Sequence, residues 1–431
     1  MITFRGLLLL IAGFSIALAS IPLSNTYLAL IGLGLVFYIT FSDYNFERHM
    51  RGMPFSSVRT LSMKKAPVGQ LVGCKLEMHA GLGLPMRYED TLPAFFQVKG
   101  ASKGKDVGNA SVKYSFTSPN RGLFYAGPTK VTVNSPSGAF YRELVPDNAE
   151  EVLFYPSLSE VKKFDAQLRK RSSHQLLGIR RSVAQGAGTE FIALRKYAVG
   201  DELRQIDWKA TARTRQLMVR TFEADRKQRV VILLDCGRLM HSGKDVSMLD
   251  AGINTAVLLS HVVLSRGDLL GFATFSDKLE YFLQPGNNRS HFYGLLDALG
   301  RISPTKETDF IASFRQLTPL LSKRSLIVII SSLQDGGERR VVEAIKLLKA
   351  HKHAIVVISP FEPWFEPVEA KDHLVHVIAE SAEEKYRKDL DAVASAVKRF
   401  GVTVVPVGPN DMTTASLRKY VYAVNEGLAT I

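Results

Sequence analysis

Three aspartates in this sequence could do chemistry together: Asp201, Asp207 and Asp235. Carboxylates gathered at one point can hold divalent ions that activate water for phosphoester hydrolysis. The arginines and lysines around the first two explain them more readily as members of ion pairs. A metal-dependent hydrolase built on these three residues is therefore the alternative hypothesis, and it requires the fold to bring all three together.

Other familiar catalytic patterns are missing from the sequence. It contains no Gly-x-x-x-x-Gly-Lys-Ser/Thr loop, no His-Glu-x-x-His helix and no Gly-x-Ser-x-Gly elbow. The stretch from His351 to His353 is interpreted as a solvated helix cap. Only two cysteines occur, Cys74 and Cys236, which excludes a disulfide framework and suits a reducing compartment. Nucleotide hydrolysis would have to come from another protein.

The elements that would position Asp235 are predicted by apolar runs in residues 230–431. Buried parallel strands are predicted at 230–235, 325–330, 354–359, 374–378 and 402–407, and a hairpin at 269–275 and 278–283. Helical patterns are predicted at 248–264, after residue 335, and at 383–399. Strands that alternate with helices indicate an open, mainly parallel, doubly wound α/β domain, Rossmann-type in its layering.

Residues 46–156 have a different character, with short β-rich runs separated by Gly, Pro, Asn and Asp. Runs such as 110–117 and 130–133 predict a small antiparallel β-sandwich. Residues 101–108, which read ASKGKDVG, are expected to form an exposed loop.

Residues 1–45 predict a transmembrane helical hairpin. Two apolar runs, 7–23 and 27–41, are each near the lower length limit for crossing a bilayer. Basic residues follow the second run and are missing from the turn between the runs, which predicts cytoplasmic termini and a multi-pass protein of the inner or plasma membrane; they are Arg48, Arg51, Arg59, Lys64 and Lys65. A cleaved signal peptide is the rival interpretation of the first run.

Residues 157–229 form a basic connector. Residues 157–230 hold 17 Lys and Arg against 8 Asp and Glu, a net of +9 out of the chain's +14. Such concentration predicts an acidic partner, either a protein face or anionic lipid. Nucleic acid is an unlikely partner because no nucleic-acid-binding motif accompanies the charge.

The connector contains the most specific pattern in the chain. Residues 190–223 read EFIALRKYAVGDELRQIDWKATARTRQLMVRTFE, and they resemble the signature of the domain of unknown function 58 family. Two β-domain fragments, 121–128 and 135–140, resemble the same family. The signature residues are predicted to form an interdomain clamp or a partner-binding surface, with the Trp buried as an anchor; they are Arg195, Tyr197, Gly200, Asp201, Arg204, Asp207, Trp208 and Arg213.

The resemblance implies a C-terminal domain like von Willebrand factor A and an association with MoxR-type AAA+ ATPases. Such domains often hold Mg²⁺ through an Asp-x-Ser-x-Ser loop, a Thr and a later Asp, since this ion requires several oxygen ligands. The corresponding positions are degenerate here: Asp235, Gly237, Leu239, Thr308 (or Thr305), Ser332 and Asp335. Gly237 and Leu239 replace both hydroxyls. Mg²⁺ is therefore possible but disfavoured, no cofactor is expected, and Asp235 is expected to pair with Arg238 or to cap a helix.

Together these patterns predict a membrane-anchored, non-enzymatic scaffold or adaptor. Its metal-site-degenerate α/β domain is expected to bind a protein, plausibly a MoxR-like ATPase, in assembly or maturation of envelope proteins.

Overall fold

A computed structural model describes residues 1–23, 25–51, 55–80, 83, 85–170, 185–186, 190–198, 201–223, 227–302, 306–334, 337–367 and 373–426. Gly200, Thr305 and Asp335, all singled out above, lie outside the described residues. The chain divides into two compact units, Met1–Ser157 and Leu158–Ile431.

The first unit begins with two apolar helices, α1 (Phe4–Ala19) and α2 (Thr26–Arg51). Helix α2 has 26 residues and is long and apolar enough to cross a membrane, with only 11% of its most apolar window buried. Helix α1 has 16 residues, which is shorter than a typical span. The helices approach closely at Gly32, where a Cβ would lie 2.5 Å from the backbone N of Ala17. Small residues allow such contacts between apolar helices.

The base of this helix pair is attached to the β-rich part of the same unit. The Thr3 N–H donates to Ala139 O at 2.9 Å, and Ile2 forms an antiparallel bridge with Phe140. At the end of α2, Arg142 Nη1 lies 3.2 Å from a Glu47 carboxylate oxygen. Residues 135–140 were singled out above as a family-like fragment. Their position explains that pattern, because the loop holds the N-terminal end of α1.

Three sheets build the rest of the first unit. Their strands are β1 (Phe55–Leu61), β2 (Lys65–Pro67), β3 (Val72–Ala80), β4 (Pro85–Asp90), β5 (Gln97–Gly100), β6 (Lys103–Val107), β7 (Asn109–Thr117), β8 (Gly122–Ala126), β9 (Thr129–Asn134), β10 (Tyr141–Leu144) and β11 (Glu150–Tyr155). The orders are β1-β3-β7-β5, β10-β9-β4-β6 and β2-β11-β8. Every ladder is antiparallel except β2 with β11. The expectation of antiparallel sheets is confirmed.

The predicted loop at 101–108 is wrong. Residues Lys103–Val107 form strand β6, which pairs with β4 at the edge of its sheet. Most of its side chains are exposed, so this segment is polar because it is an edge strand in contact with solvent. Lysines are common on such edges because they discourage pairing with another chain.

A buried ion pair lies in this unit. Arg59 Nη1 and Nη2 donate to the two Asp90 carboxylate oxygens at 2.8 and 2.5 Å, and both side chains are almost fully buried. The Tyr114 hydroxyl also donates to Asp90, as does Thr129 Oγ1 at 3.0 Å. Arg59 Nε donates to Asn148 O at 2.9 Å. Arg59, one of the basic residues that follow α2 in the chain, is thus part of a buried ion pair.

The second unit begins with α3 (Ser159–Lys170) and a small sheet of β12 (Gln185–Gly186), β14 (Met218–Glu223) and β13 (Glu190–Lys196), in that order. Helix α4 (Trp208–Thr214) lies between β13 and β14 in the chain. The connector residues that the structure describes therefore form secondary structure around a β-hairpin.

A six-stranded mixed sheet forms the centre of the described second unit. Its order is β17 (Leu279–Gly286), β16 (Leu269–Phe275), β15 (Arg229–Asp235), β18 (Leu326–Ile330), β19 (Ala354–Pro360) and β20 (Thr403–Val407). Only the β16–β17 ladder is antiparallel. The helices are α5 (Met248–Ser265), α6 (Arg289–Arg301), α7 (Phe310–Leu317), α8 (Gly337–Ala350), α9 (Glu362–Phe365), α10 (His373–Lys398) and α11 (Met412–Asn425). The α/β layering is confirmed.

Two local expectations in this unit are wrong. Residues 374–378 belong to helix α10, because their short apolar run is continued by a helical pattern that ends at Lys398. Val375, Val377 and Ile378 are exposed there, whereas a central strand would bury them. His353 is 1% exposed and so is no solvated cap. The turn after α8, with Lys352 at φ +59°, directs it inward.

We expect the Arg59→Met substitution to lower the free energy of unfolding by about 3 to 5 kcal/mol. The substitution leaves the Asp90 carboxylate buried without its cation. Chemical denaturation of the detergent-solubilised full chain measures the effect. Lys64→Met is the matched control, because it breaks the Lys64–Glu150 pair, whose Lys side chain is 68% exposed. Equal effects of the two substitutions would contradict the assignment.

Candidate functional site

Arg195 and Asp201 form a two-pronged ion pair at the end of β13. Arg195 Nη1 and Nη2 lie 2.6 and 2.5 Å from the two carboxylate oxygens of Asp201. The Ala198 N–H donates to the same carboxylate at 2.8 Å. The hydrogen bonds from Arg195 and then from Ala198 lower the pKa of Asp201 to about 2. This aspartate is therefore a fixed anion that closes the turn after β13.

Asp207 has a similar structural task at the start of α4. Its Oδ1 accepts from the Ala210 N–H at 3.0 Å, which caps the helix, and its Oδ2 accepts from Arg220 Nε at 2.9 Å. The backbone bond to Ala210 and the bond to Arg220 lower the pKa of Asp207. Both carboxylates of the signature thus have local partners, as the ion-pair interpretation predicts.

Trp208 is not the buried anchor that the sequence suggested. Its relative exposure is 69%, and Leu203 nearby in the chain is 71% exposed. The anchoring contact is instead Ile206, which is 7% exposed and bridges to the buried Val219. As the first residue of a capped helix, Trp208 projects away from the hairpin, whereas Ile206 faces it.

The other signature side chains contribute little buried area. Arg204 and Arg213 are exposed, and Tyr197 is half-buried with its N–H donating to Leu217 O at 2.9 Å. Four residues present an exposed, basic and aromatic surface around α4, which we call the signature surface: Leu203, Arg204, Trp208 and Arg213.

The carboxyl end of the central strand β15 holds a separate polar cluster. Asp235 is 2% exposed, and its Oδ1 accepts from Thr308 Oγ1 at 2.7 Å and from the Gly237 N–H at 2.8 Å. Its Oδ2 accepts from Ser331 Oγ at 2.5 Å. β15 and β18 are neighbouring parallel strands that end at this edge, so the loops that carry Gly237 and Ser331 lie side by side. The Arg238 N–H donates to Lys306 O at 2.7 Å, which holds the loop of Thr308 beside them.

Two expectations about this cluster need correction. Ser331, and not Ser332, contacts Asp235, while the Ser332 carbonyl accepts from Ser359 Oγ at 3.2 Å. Arg238 does not pair with Asp235. It pairs with Glu307 at 2.9 Å on the exposed side of the loop. The sequence alone does not show which of two consecutive serines after the end of a strand has its hydroxyl directed toward Asp235.

The donor set at Asp235 does not fit Mg²⁺. Both Asp235 oxygens accept hydrogen bonds from protein groups, and a Cβ built on Gly237 would lie 1.9 Å from Thr308 Oγ1. A serine at this position therefore requires Thr308 to move. In the described residues no three His, Cys, Asp or Glu side chains form a group that could hold a metal. Asp201, Asp207 and Asp235 are accordingly not brought together as the hydrolase hypothesis requires.

A cavity of about 610 Å³ opens beside this cluster. Leu239 and Ser332 line it from the sheet edge, and helix α10 lines the other side. Charged side chains at its rim carry both signs: Glu338, Lys385 and Asp389. Leu333, which also lines it, has φ +60°, a conformation that few side chains adopt without support from their surroundings. The residues from α10 were missed by sequence reasoning because nothing in the chain order predicts which helix faces this edge.

Residues 193–367 match the model of the family described as "Protein of unknown function DUF58". The match includes the signature pairs and the Asp235 cluster, and it confirms the resemblance that residues 190–223 indicated.

The curated relative found is the "Uncharacterized protein YeaD" of Bacillus subtilis (strain 168), 23% identical over 256 residues. The match covers 56% of this chain and 61% of that relative, so the chain spans about three fifths of the relative's length. Similar solved structures include an aerotolerance-related membrane protein from Bacteroides fragilis NCTC 9343 and BatB from Bacteroides thetaiotaomicron. They are 16% and 15% identical with TM-scores of 0.32 and 0.33, and each match covers 47% of this chain and all of the other.

We expect the detergent-solubilised chain to bind neither Mg²⁺ nor Mn²⁺ with micromolar affinity, because both oxygens of the Asp235 carboxylate already accept hydrogen bonds from protein groups, whereas this ion needs several oxygen ligands. Isothermal titration calorimetry measures this directly. Addition of EDTA should leave the thermal unfolding midpoint unchanged. A saturable heat at micromolar metal that disappears in Asp235→Asn would overturn the expectation.

Proposed function

We propose that this protein is a membrane-anchored adaptor whose α/β unit is a von Willebrand factor A-like domain that binds a protein partner without a metal. The observation that carries the proposal is the Asp235 cluster. Its carboxylate sits at the end of the central strand, where domains of this type bind, but hydroxyls of Thr308 and Ser331 occupy its oxygens. The edge is thereby preorganised for recognition, while the ligands for an ion are missing from the described donor set.

The neighbouring cavity supplies the binding face in this proposal. It offers an apolar floor from Leu239 and Leu333 with rim charges from Lys385 and Asp389. A floor that loses water on contact and a charged rim that selects the partner are the usual components of a protein interface. The mixed signs at the rim favour a partner segment that also carries both charges.

The signature surface is a second contact region for the same partner. Exposed tryptophan and arginine are the residues that most often contribute strongly to binding. Trp208 at 69% exposure has no structural task that would explain a large aromatic side chain on α4. Family resemblance points to a MoxR-like AAA+ ATPase as the partner, with nucleotide hydrolysis supplied in trans and envelope-protein assembly or maturation as the process.

Helix α2 attaches the proposed adaptor to the membrane. It is mostly unburied and long enough to span a bilayer, and basic residues follow its apolar part: Arg48, Arg51, Lys64 and Lys65. We infer that α1 and α2 both insert and that the two ends attached to residues 135–142 are cytoplasmic. The contacts of Thr3 and Glu47 with this one β segment support the same side for both ends.

We expect a MoxR-like ATPase to co-purify with the affinity-tagged, detergent-solubilised protein. Lys385→Glu should reduce its yield about tenfold, equivalent to about 1.4 kcal/mol, because a rim charge changes sign. Quantitative mass spectrometry of the eluate measures this. Lys388→Glu is the matched control, since Lys388 is exposed on the same helix and outside the cavity lining. Absence of any ATPase above the untagged control would remove the main support for the adaptor.

We expect an alkaline phosphatase fused after Asn25 to be active and one fused after Asn425 to be inactive. This reporter folds only outside the cytoplasm, and Asn25 lies between the two apolar helices. A β-galactosidase fusion at each position is the reciprocal control. An inactive phosphatase at Asn25 with normal expression would contradict the orientation.

A further inference from the structure

A second cavity, of about 240 Å³, lies at the opposite edge of the central sheet, where β18, β19 and β20 begin. Its polar lining is basic: Arg324, Lys349, Lys352, His353 and Lys419. Among the lining residues that the structure describes, none carries a carboxylate. This concentration of like charge costs free energy unless something opposes it, because cations at short range repel.

The imidazole of His353 is the observation that points to a ligand. The ring is 1% exposed, and its Nδ1 accepts from the Ser325 N–H at 3.1 Å. A backbone amide can only donate, so the neutral ring must carry its proton on Nε2. That Nε2 is buried and has no hydrogen-bond partner within the described structure. A buried donor left unsatisfied costs about 1 to 3 kcal/mol, and so an acceptor in the cavity is favoured.

The size and charge of the cavity indicate what kind of hydrogen-bond acceptor it can hold. A single water occupies about 30 Å³ of liquid, so the cavity has room for a larger group. Lys352 and Lys419 approach it from the turn after α8 and from α11. Lysine ammonium groups and an imidazole N–H are all donors, and a group with several anionic oxygens satisfies them together.

The C-terminal ends of two helices carry partial negative charge that disfavours an anion, but the cations of the lining outnumber them. Helices α8 and α11 both end near the cavity, and each C-terminus carries roughly half a negative charge. Lys349 Nζ already donates to the His353 carbonyl at 3.2 Å and so offsets one of them. The remaining cations leave the cavity positive.

Burial and the neighbouring cations shift the pKa values of two lining groups. Burial, followed by His351, Arg324 and Lys349, lowers the pKa of His353. Burial, followed by Arg324, lowers the pKa of Lys349. A bound anion would act against the charge repulsion in both cases.

We propose that this cavity binds a phosphate group, with His353 Nε2–H and the ammonium groups of Lys352 and Lys419 as donors. The phosphate belongs either to a soluble phosphorylated compound or to a lipid headgroup, since the same oxygens are presented by both. The site lies on the edge opposite Asp235 and does not depend on the proposed adaptor function.

The test is calorimetric titration of inorganic phosphate into the full chain held in phosphatidylcholine nanodiscs, at constant ionic strength. We expect saturable binding that falls about tenfold in Lys352→Ala and in Lys419→Ala, the loss expected for one charge-assisted hydrogen bond. Arg340→Ala is the matched control, because Arg340 is an exposed cation on α8 outside the cavity lining. His353→Asn keeps an acceptor for the Ser325 amide and loses the Nε2–H donor, and it should also weaken binding.

A repeat in nanodiscs that contain phosphatidylglycerol distinguishes the two sources. Retained phosphate binding identifies a soluble phosphate compound, whereas loss through competition identifies the lipid headgroup. The absence of saturable binding of inorganic phosphate in phosphatidylcholine nanodiscs overturns the proposal. Equal affinity of wild type and the Lys352→Ala/Lys419→Ala double variant also overturns it.

Discussion

The second unit is organised around one constraint, which is that the Asp235 carboxylate is buried and must be hydrogen-bonded. A buried anion is costly unless donors surround it. Thr308, Ser331 and the Gly237 amide supply these donors, and they come from three separate loops. The requirement therefore fixes the relative positions of the loops at this edge of the sheet. Two of these loops also line the neighbouring cavity, so their positions determine its shape.

The carboxylates of the signature motif differ from Asp235, because their hydrogen-bond partners lie within the same hairpin segment. Asp201 pairs with Arg195 six positions away, and Asp207 caps its own helix and pairs with Arg220 across the hairpin. These bonds hold both carboxylates within the hairpin and its capped helix. What the segment presents outward is Trp208 with Arg204 and Arg213.

The first unit has its own buried anchor point in the Arg59–Asp90 pair. Bonds to that pair come from β1, β4, β7 and β9, so it joins strands of two sheets. The same unit carries the apolar helices on the loop at 135–140. The two apolar helices and the β-rich fold are thus parts of one compact unit.

The sequence alone determined the elements whose patterns are long or strongly periodic, namely the apolar helix α2 and the buried strands β15, β18 and β19, and also the pairing of Asp201 with an arginine nearby in the chain. These depend on hydrophobic period and on neighbours close in the chain, both of which are visible in the sequence. Only the tertiary structure decided the facing of Ser331, the burial of Arg59 and His353, and the exposure of Trp208. Each depends on contacts between residues far apart in the chain, and local pattern contains no information about those contacts.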